Sequence, residues 1–297
     1  MKQPAGSVGS ARAHFMPARG RGSRFEVMKR ARGERVLAAI HQLHYLPWLR
    51  YLEKMARADI FIALDDVHYT KNGFQNRNKI KHPGGWMYLT VPVRAHAGQL
   101  LSEIEIAQES DWNASHWRAI QTNYGRAPFF PDHAPALAVI FGRPWTRLND
   151  LNWELLMYLR SALGITTPIL RSSELSIDGE ATDPTLRSSD ASSLRSTSRL
   201  VAICRAVGAD HYYSGSHAAE AYLDEAALEA GGIELVLQTW SCPTYEQRFP
   251  QVGFIPDLSV IDLLLNQGPQ SRELILAGGH RPAPRVAAPF RFIPVGW

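Results

Sequence analysis

The chain has 297 residues, 45% hydrophobic and 20% charged, enough for one large α/β domain with a sizeable core. Its formal charge of +4 is unevenly placed: residues 1–35 hold nine Lys/Arg against two Asp/Glu, a net of +7, which leaves 23 basic and 26 acidic residues, a net of −3, for the rest. A mildly acidic body argues against a nucleic-acid-binding domain, and no apolar run approaches the roughly 18 residues that span a bilayer.

The basic leader, residues 1–35, lacks an apolar segment of signal-peptide type and is expected to be disordered. Two cysteines, Cys204 and Cys242, allow one disulfide at most, and reduced cytoplasmic thiols are the expectation. Residues 36–278 are expected to form a single α/β domain, and residues 279–297, rich in Pro, Arg and Ala, an irregular tail.

In chain order, Val36 to Ile40 is a short apolar run suited to a buried strand. His41 to Trp48 follows as a turn with two histidines, a tyrosine and a tryptophan. Leu46, Leu49, Leu52, Met55 and Ala56 recur at helical spacing, and Pro47 suits a first helical turn. Ile60 to Leu64 is a second apolar strand, ending at Asp65 and Asp66. Strand, helix and strand within about thirty residues make a βαβ unit and predict a parallel sheet. Asn72-Gly73 and Pro83-Gly84-Gly85 are turn signals, so Arg77 to Lys81 and Trp86 to Val91 read as an inserted hairpin.

Beyond the hairpin, Glu103 to Ile106 alternates as a strand, and Asp111 is placed to cap a helix running to Tyr124. Helices are expected over Pro131 to Phe141 and Leu148 to Leu163, the latter ended by Gly164. Ile165 to Leu170 is a third candidate strand. Residues 172–198 lack periodicity and read as a long loop suited to a lid. Ser198 to Val207, Ala218 to Ala230, Leu258 to Asn266 and Gln270 to Ala277 read as helices, and His211 to Ser214 and Ile233 to Leu237 as strands. The class is therefore α/β: a mainly parallel, Rossmann-like sheet with flanking helices and a small inserted hairpin.

Parallel sheets bind ligands at the carboxyl ends of their strands. His41 and the Asp65-Asp66 doublet occupy two such ends and are the catalytic candidates. An imidazole there can act as a general base toward an amine or hydroxyl, or it can simply bond a backbone group. Adjacent aspartates on a strand point to opposite faces, so one can bind an ammonium, hold Mg²⁺ or orient His41 while the other caps or turns. Lys71, Asn72, Gln75, Asn76, Arg77 and Lys79 form a dense polar cluster able to hold sugar hydroxyls, phosphates or an oxyanion, or to tie the loop to itself. His44, Tyr45, His116, Asn123, Ser214, Tyr245 and Gln247 are further substrate-binding candidates. Cys204 falls at buried spacing with Leu200, Ile203 and Val207, while Cys242 lies on a loop; neither setting favours a thiolate. No Cys/His cluster has metal-ligand spacing.

The run HQLHYLPWLRY from His41 to Tyr51, then LDDVHYTKNGFQNRNKIK from Leu64 to Lys81 and YLTVPV from Tyr88 to Val93, resembles the WbqC-like protein family. The likeness continues through Trp112 to Pro128, Arg199 to Ala209, Tyr213-Ser214-Gly215, Tyr222-Leu223-Asp224 and Gly253 to Gly268. This sequence departs from the family at Leu43, usually proline, at Arg50, usually glycine, and at His217-Ala218-Ala219, where a glycine-containing loop is usual. The resemblance implies a place in polysaccharide or specialised-metabolite biosynthesis and transfer of an acyl or aminoacyl group to an amine.

The leading expectation is thus a transferase acting on a small-molecule substrate, free or linked to a carrier protein or nucleotide. An ATP- and Mg²⁺-dependent adenylate-forming or nucleotidyl-transferring enzyme is the alternative, because histidine pairs of this spacing also steady phosphates. A non-catalytic scaffold for a biosynthetic assembly is the third.

Overall fold

The computed structural model describes residues 35–175, 177, 193–215 and 223–280. The expected leader, most of the expected lid, the loop at His217 and most of the tail lie outside the described residues.

Five strands form one sheet: β1 (Leu37–Gln42), β2 (Ile60–Leu64), β7 (Ile169–Arg171), β8 (His211–Gly215) and β9 (Glu234–Gln238). Their order is β7-β2-β1-β8-β9 and every pairing is parallel. These are the five strands expected from the sequence. The inserted hairpin is β3 (Arg77–His82) paired with β4 (Gly85–Thr90), and a second small pair joins β5 (Val93–Arg94) to β6 (Glu105–Ile106). The helices are α1 (Leu49–Arg57), α2 (Trp112–Tyr124), α3 (Phe130–Gly142), α4 (Leu148–Ala162), α5 (Ser193–Ala206), α6 (Glu225–Ala230), α7 (Val260–Gln267) and α8 (Ser271–Ala277). Among the described residues, no helix is long and apolar enough to cross a membrane.

Strand alternation sends successive side chains to opposite faces of the sheet, and here it divides the interior into two cores. Ala39, Phe61 and Ala63 pack with α1, α2, α4 and α7 on one face. Ala38, Ile40, Ile60 and Ile62 pack with Leu200, Ile203 and Cys204 of α5, Val207 just after it, and Leu228 of α6 on the other. The sheet is therefore covered on both sides, as continuous apolar strands require.

Several elements differ in detail from expectation. α1 starts at Leu49 rather than Leu46, because Leu46 takes a positive φ of 44° and its carbonyl is bound by Asn78 Nδ2 at 2.7 Å. β7 is only three residues long. Arg160 donates to the Thr166 and Thr167 carbonyls and so holds that stretch against the end of α4. Glu103 belongs to a 3₁₀ turn, its carboxylate accepting from Leu100 N, so β6 begins later. Asp111 stands at the N-cap of α2, but its side chain makes no capping bond. α5 begins at Ser193, inside the stretch read as loop. Gly164 and Gly208 follow α4 and α5 with φ of 61° and 75°, where glycine avoids the Cβ penalty.

The hairpin, α2 and α7 are joined by a buried carboxyl. Asp262 on α7 accepts from Tyr124 Oη at 2.8 Å and Tyr245 Oη at 2.9 Å. Tyr124 Oη in turn accepts from Lys81 N of β3 at 2.9 Å, and Lys81 Nζ donates to Gln247 Oε1 and the Gly253 carbonyl. Burial pushes the Asp262 carboxyl up to about 6, against the pull of both phenols and Lys81. A carboxyl whose folded pKa lies above its unfolded value makes the native state hold its proton longer, so its stabilisation is full below about pH 4 and is lost as pH rises through about 6. We expect the stability difference between wild type and Asp262→Asn to change by about 3 kcal/mol between those limits, with the wild type losing ground as pH rises. Urea denaturation midpoints across that window check this; a pH-independent difference refutes it.

Candidate active site

In this sheet the chain leaves β1 toward β2 and leaves β8 toward β9, in opposite directions across the neighbouring β1 and β8 edge. Helix α1 packs on one face and α6 on the other. A crevice opens outside the carboxyl ends of two such strands, and that is where open α/β sheets hold their ligands. His41 and Gln42 end β1 there, and Ser214 and Gly215 end β8. The register sets Ala39 beside Tyr213, so His41 stands level with Gly215. Among the described residues, a Cβ on Gly215 would meet only Gln238 Oε1, at 3.9 Å.

His41 shares its face with α1. Its ring lies 4.7 Å from His44 and 4.6 Å from Tyr51, centroid to centroid. Nδ1 donates to the Gln42 carbonyl at 3.2 Å, which fixes the neutral tautomer and leaves the lone pair on Nε2. His44 is boxed by Trp48, Tyr51 and Phe74 at 5.5, 5.5 and 6.1 Å. It is 7% exposed, and its Nδ1 is buried without a hydrogen-bond partner. Tyr51 is fully buried and its hydroxyl is likewise without a partner.

Lys54, which sequence reasoning passed over, completes the cluster. It is only 6% exposed, and its ammonium makes no hydrogen bond or ion pair among the described residues. Burial lowers the amine to about 7, with Glu53 opposing the fall and Arg50 adding to it. Burial, then the Lys54 charge, lowers His44 to about 3, and the same causes hold His41 well below its ordinary value. Both imidazoles are therefore largely neutral at neutral pH, while the Lys54 amine, lowered to about 7, is divided between its two forms there. The apolar periodicity of α1 leaves Lys54 out, but the helix buries Tyr51, Glu53 and Lys54 along with Leu49, Leu52 and Met55. Its spacing of three from Tyr51 is the signal that places it on the site face.

The neighbouring Glu53 fixes α1 against the sheet. Its carboxylate accepts from Tyr213 Oη at 3.0 Å, Gln238 Nε2 at 2.6 Å and Arg57 Nε at 3.1 Å. Arg57 also reaches the Leu276 and Gly279 carbonyls at 2.7 Å. Arg50 lies on the outer side, paired with Asp257 at 3.5 Å and stacked over Trp240.

The aspartate doublet lies just beyond the end of β2, where strand alternation no longer governs it. Asp65 is buried and accepts from Ser173 N, Ser173 Oγ and, at 3.5 Å, Asn149 Nδ2 of α4. Asp66 pairs with Arg199 of α5 at 2.8 Å, and Ser172 Oγ faces both carboxylates. Among the described residues neither aspartate bonds His41. The amide-rich loop meets the crevice through Phe74 and Gln75. Gln75 Nε2 donates to Gln42 Oε1 at 3.1 Å, and its carbonyl accepts from Asn152.

The remaining candidates are placed as follows. Asn76 is bound to the Val91 carbonyl, and Arg77 to the Asn72 carbonyl and the Tyr88 ring. Lys71 and Asn72 are exposed, and Lys79 lies over Trp86. Tyr45 is fully buried, with its hydroxyl 2.7 Å from His116 Nδ1, and burial lowers His116 to about 4. Asn123 bonds its own helix at Ala119. Ser214 faces the Gly215 carbonyl, while Tyr245 and Gln247 belong to the Asp262 network. Burial pushes the Cys204 thiol up to about 12 and raises Cys242 as well, so neither is a ready thiolate.

A parallel α/β sheet with a basic, aromatic-walled cluster at the carboxyl end of its central strand defines the class of protein. More particularly, the chain belongs to the WbqC-like protein family, whose sequence model matches residues 42–274. It is 33% identical over 243 residues to a protein of Mycobacterium tuberculosis named "Uncharacterized protein Rv1507c", covering 80% of this chain and 96% of that one. No solved structure matches it.

A lysine whose folded pKa is below its unfolded value weakens the native state, fully so below about pH 7, and the penalty fades as pH rises toward about 10. Lys54→Met is therefore expected to raise unfolding free energy by a few kcal/mol at about pH 7, and by much less at about pH 10. Chemical denaturation at both values decides it; a Lys54→Met protein less stable than wild type at neutral pH contradicts the site geometry.

Proposed function

We propose that the protein transfers an acyl or aminoacyl group from an activated donor to an amine, on an amino sugar, an amino acid or a carrier-bound intermediate, in glycan or specialised-metabolite biosynthesis. The observation that carries this reading is the cluster at the end of β1: His41, whose Nδ1 is bonded to the Gln42 carbonyl so that Nε2 keeps its lone pair, packed against His44 and Tyr51, with the buried Lys54 amine close enough to lower both imidazoles. Perturbed bases in a cleft mark sites of proton transfer.

In such a transfer the acceptor amine forms a C–N bond to the donor carbonyl, the bond from that carbon to the leaving group breaks, and the leaving group keeps the electron pair. The nitrogen must also shed a proton. In this reading the lone pair of His41 Nε2 accepts it, and a positioned base of this kind is worth typically about 10²–10⁴-fold. His44, Tyr51, Trp48 and Phe74 exclude water from the same recess. Asp65 and Asp66 hold the end of β2 to residues 172–173 and to α5, and Gln75 holds the amide-rich loop to β1. Their part in this reading is to shape the rim, with the exposed Lys71 and Asn72 available to the acceptor or its carrier.

The full chain is to be incubated with glucosamine as acceptor and acetyl phosphate, acetyl-coenzyme A or a glycyl thioester as donor, and products read by mass spectrometry. Amide formation is expected. His41→Ala and Lys54→Met should each lower it by about 10²-fold or more while the protein stays folded. Undiminished turnover in both variants removes these residues from the chemistry.

A further inference from the structure

The cluster at His41 is rich in groups that can donate hydrogen bonds, with the lone pair of His41 Nε2 beside them as an acceptor. His44 Nδ1 and Tyr51 Oη are buried and unpartnered. Lys54 makes no hydrogen bond or ion pair among the described residues. A buried polar atom without a partner, as on His44 and Tyr51, costs about 1–3 kcal/mol and is uncommon in folded proteins. Two of them side by side, with the Lys54 amine close enough to lower both imidazoles, point to a ligand that completes them together.

The charges around the recess select the ligand. Facing it are His41 from β1, His44 from the following loop, and Tyr51 and Lys54 from α1, with Arg50 adding positive potential from the same helix. The other walls, Trp48 and Phe74, are apolar. Glu53 is the nearest acid, but its carboxylate is taken up by Tyr213, Gln238 and Arg57. Asp65 and Asp66 are held by serines, Asn149 and Arg199. The first turn of α1 contains no acidic residue, and its N-cap Trp48 supplies no side-chain cap. The positive end of the helix dipole is therefore uncompensated by side chains.

We propose that His44, Tyr51 and Lys54 bind an oxyanion, a phosphoryl or carboxylate group borne by the substrate, and that its arrival brings a proton onto Lys54 and leaves His41 Nε2 as the base. The inference rests on the reading of this recess as the substrate site and names the chemistry held there. Without the anion, Lys54 and the two imidazoles keep protons off one another. With it, protonated Lys54 gains a partner, and an oxyanion has enough lone pairs to accept from Tyr51 and His44 as well.

Isothermal titration of the full chain at about pH 8 tests this, using inorganic pyrophosphate, inorganic phosphate and acetate in turn, each in two buffers of different protonation enthalpy. The expected result is binding with net uptake approaching about one proton, weakened about tenfold or more in Lys54→Met and in Tyr51→Phe. Binding of either phosphate probe identifies a phosphoryl group, and binding of acetate alone identifies a carboxylate. No binding by any probe up to ~10 mM, binding without proton uptake, or binding unchanged in both variants overturns the proposal. Amide formation by a chain that binds no anion removes this inference and keeps the transferase reading. Anion binding with proton uptake by a chain that forms no amide does the reverse.

Discussion

The anchoring of Glu53 is the constraint on which the crevice depends. One carboxylate, with no exposure to solvent, gathers a tyrosine from β8, a glutamine from β9 and an arginine from its own helix. Through Arg57 it also ties α1 to the segment that follows α8. Charge-assisted bonds of this number can offset the desolvation of a buried charge. They also fix the rotation of α1 about its axis. Tyr51 and Lys54 face His41 because Glu53 is held toward β8 and β9. A helix held only by Leu49, Leu52 and Met55 would be freer to roll, and its polar residues would then turn to water.

Two other buried carboxyls play comparable parts at other seams. Asp262 joins the hairpin, α2 and α7, and Asp65 joins the end of β2 to residues 172–173 and α4. Each connects pieces distant in sequence, which apolar packing alone leaves free to slide. The recess at His41 differs in kind: there the polar groups stay unmatched, which is the usual mark of a place kept for something else.

The sheet was legible in the sequence because its strands are short apolar runs separated by turn residues, and all five parallel strands were found. The shared rim of His41 and the Gln75 loop was also legible, since parallel strands bring their carboxyl ends to one edge. The role of Asp65 was less so. Its serine partners lie more than a hundred residues away, and no local pattern announces them. Lys54 was missed for a related reason. Helical periodicity marks the apolar stripe, but α1 is covered by β8 and β9 on one side and α8 on another, so residues off that stripe are buried as well. Arg160 likewise shortened β7 by bonding the Thr166 and Thr167 carbonyls, a tertiary effect that strand propensity does not register.

Arg50 stands where the family usually has glycine, and it lies outside the recess, half exposed, between Asp257 and Trp240. From there it lowers the basicity of Lys54 without touching whatever Lys54 touches. Burial sets most of that fall and Arg50 a smaller part of it, so a residue on the outer side of α1 bears on an amine held on its inner side.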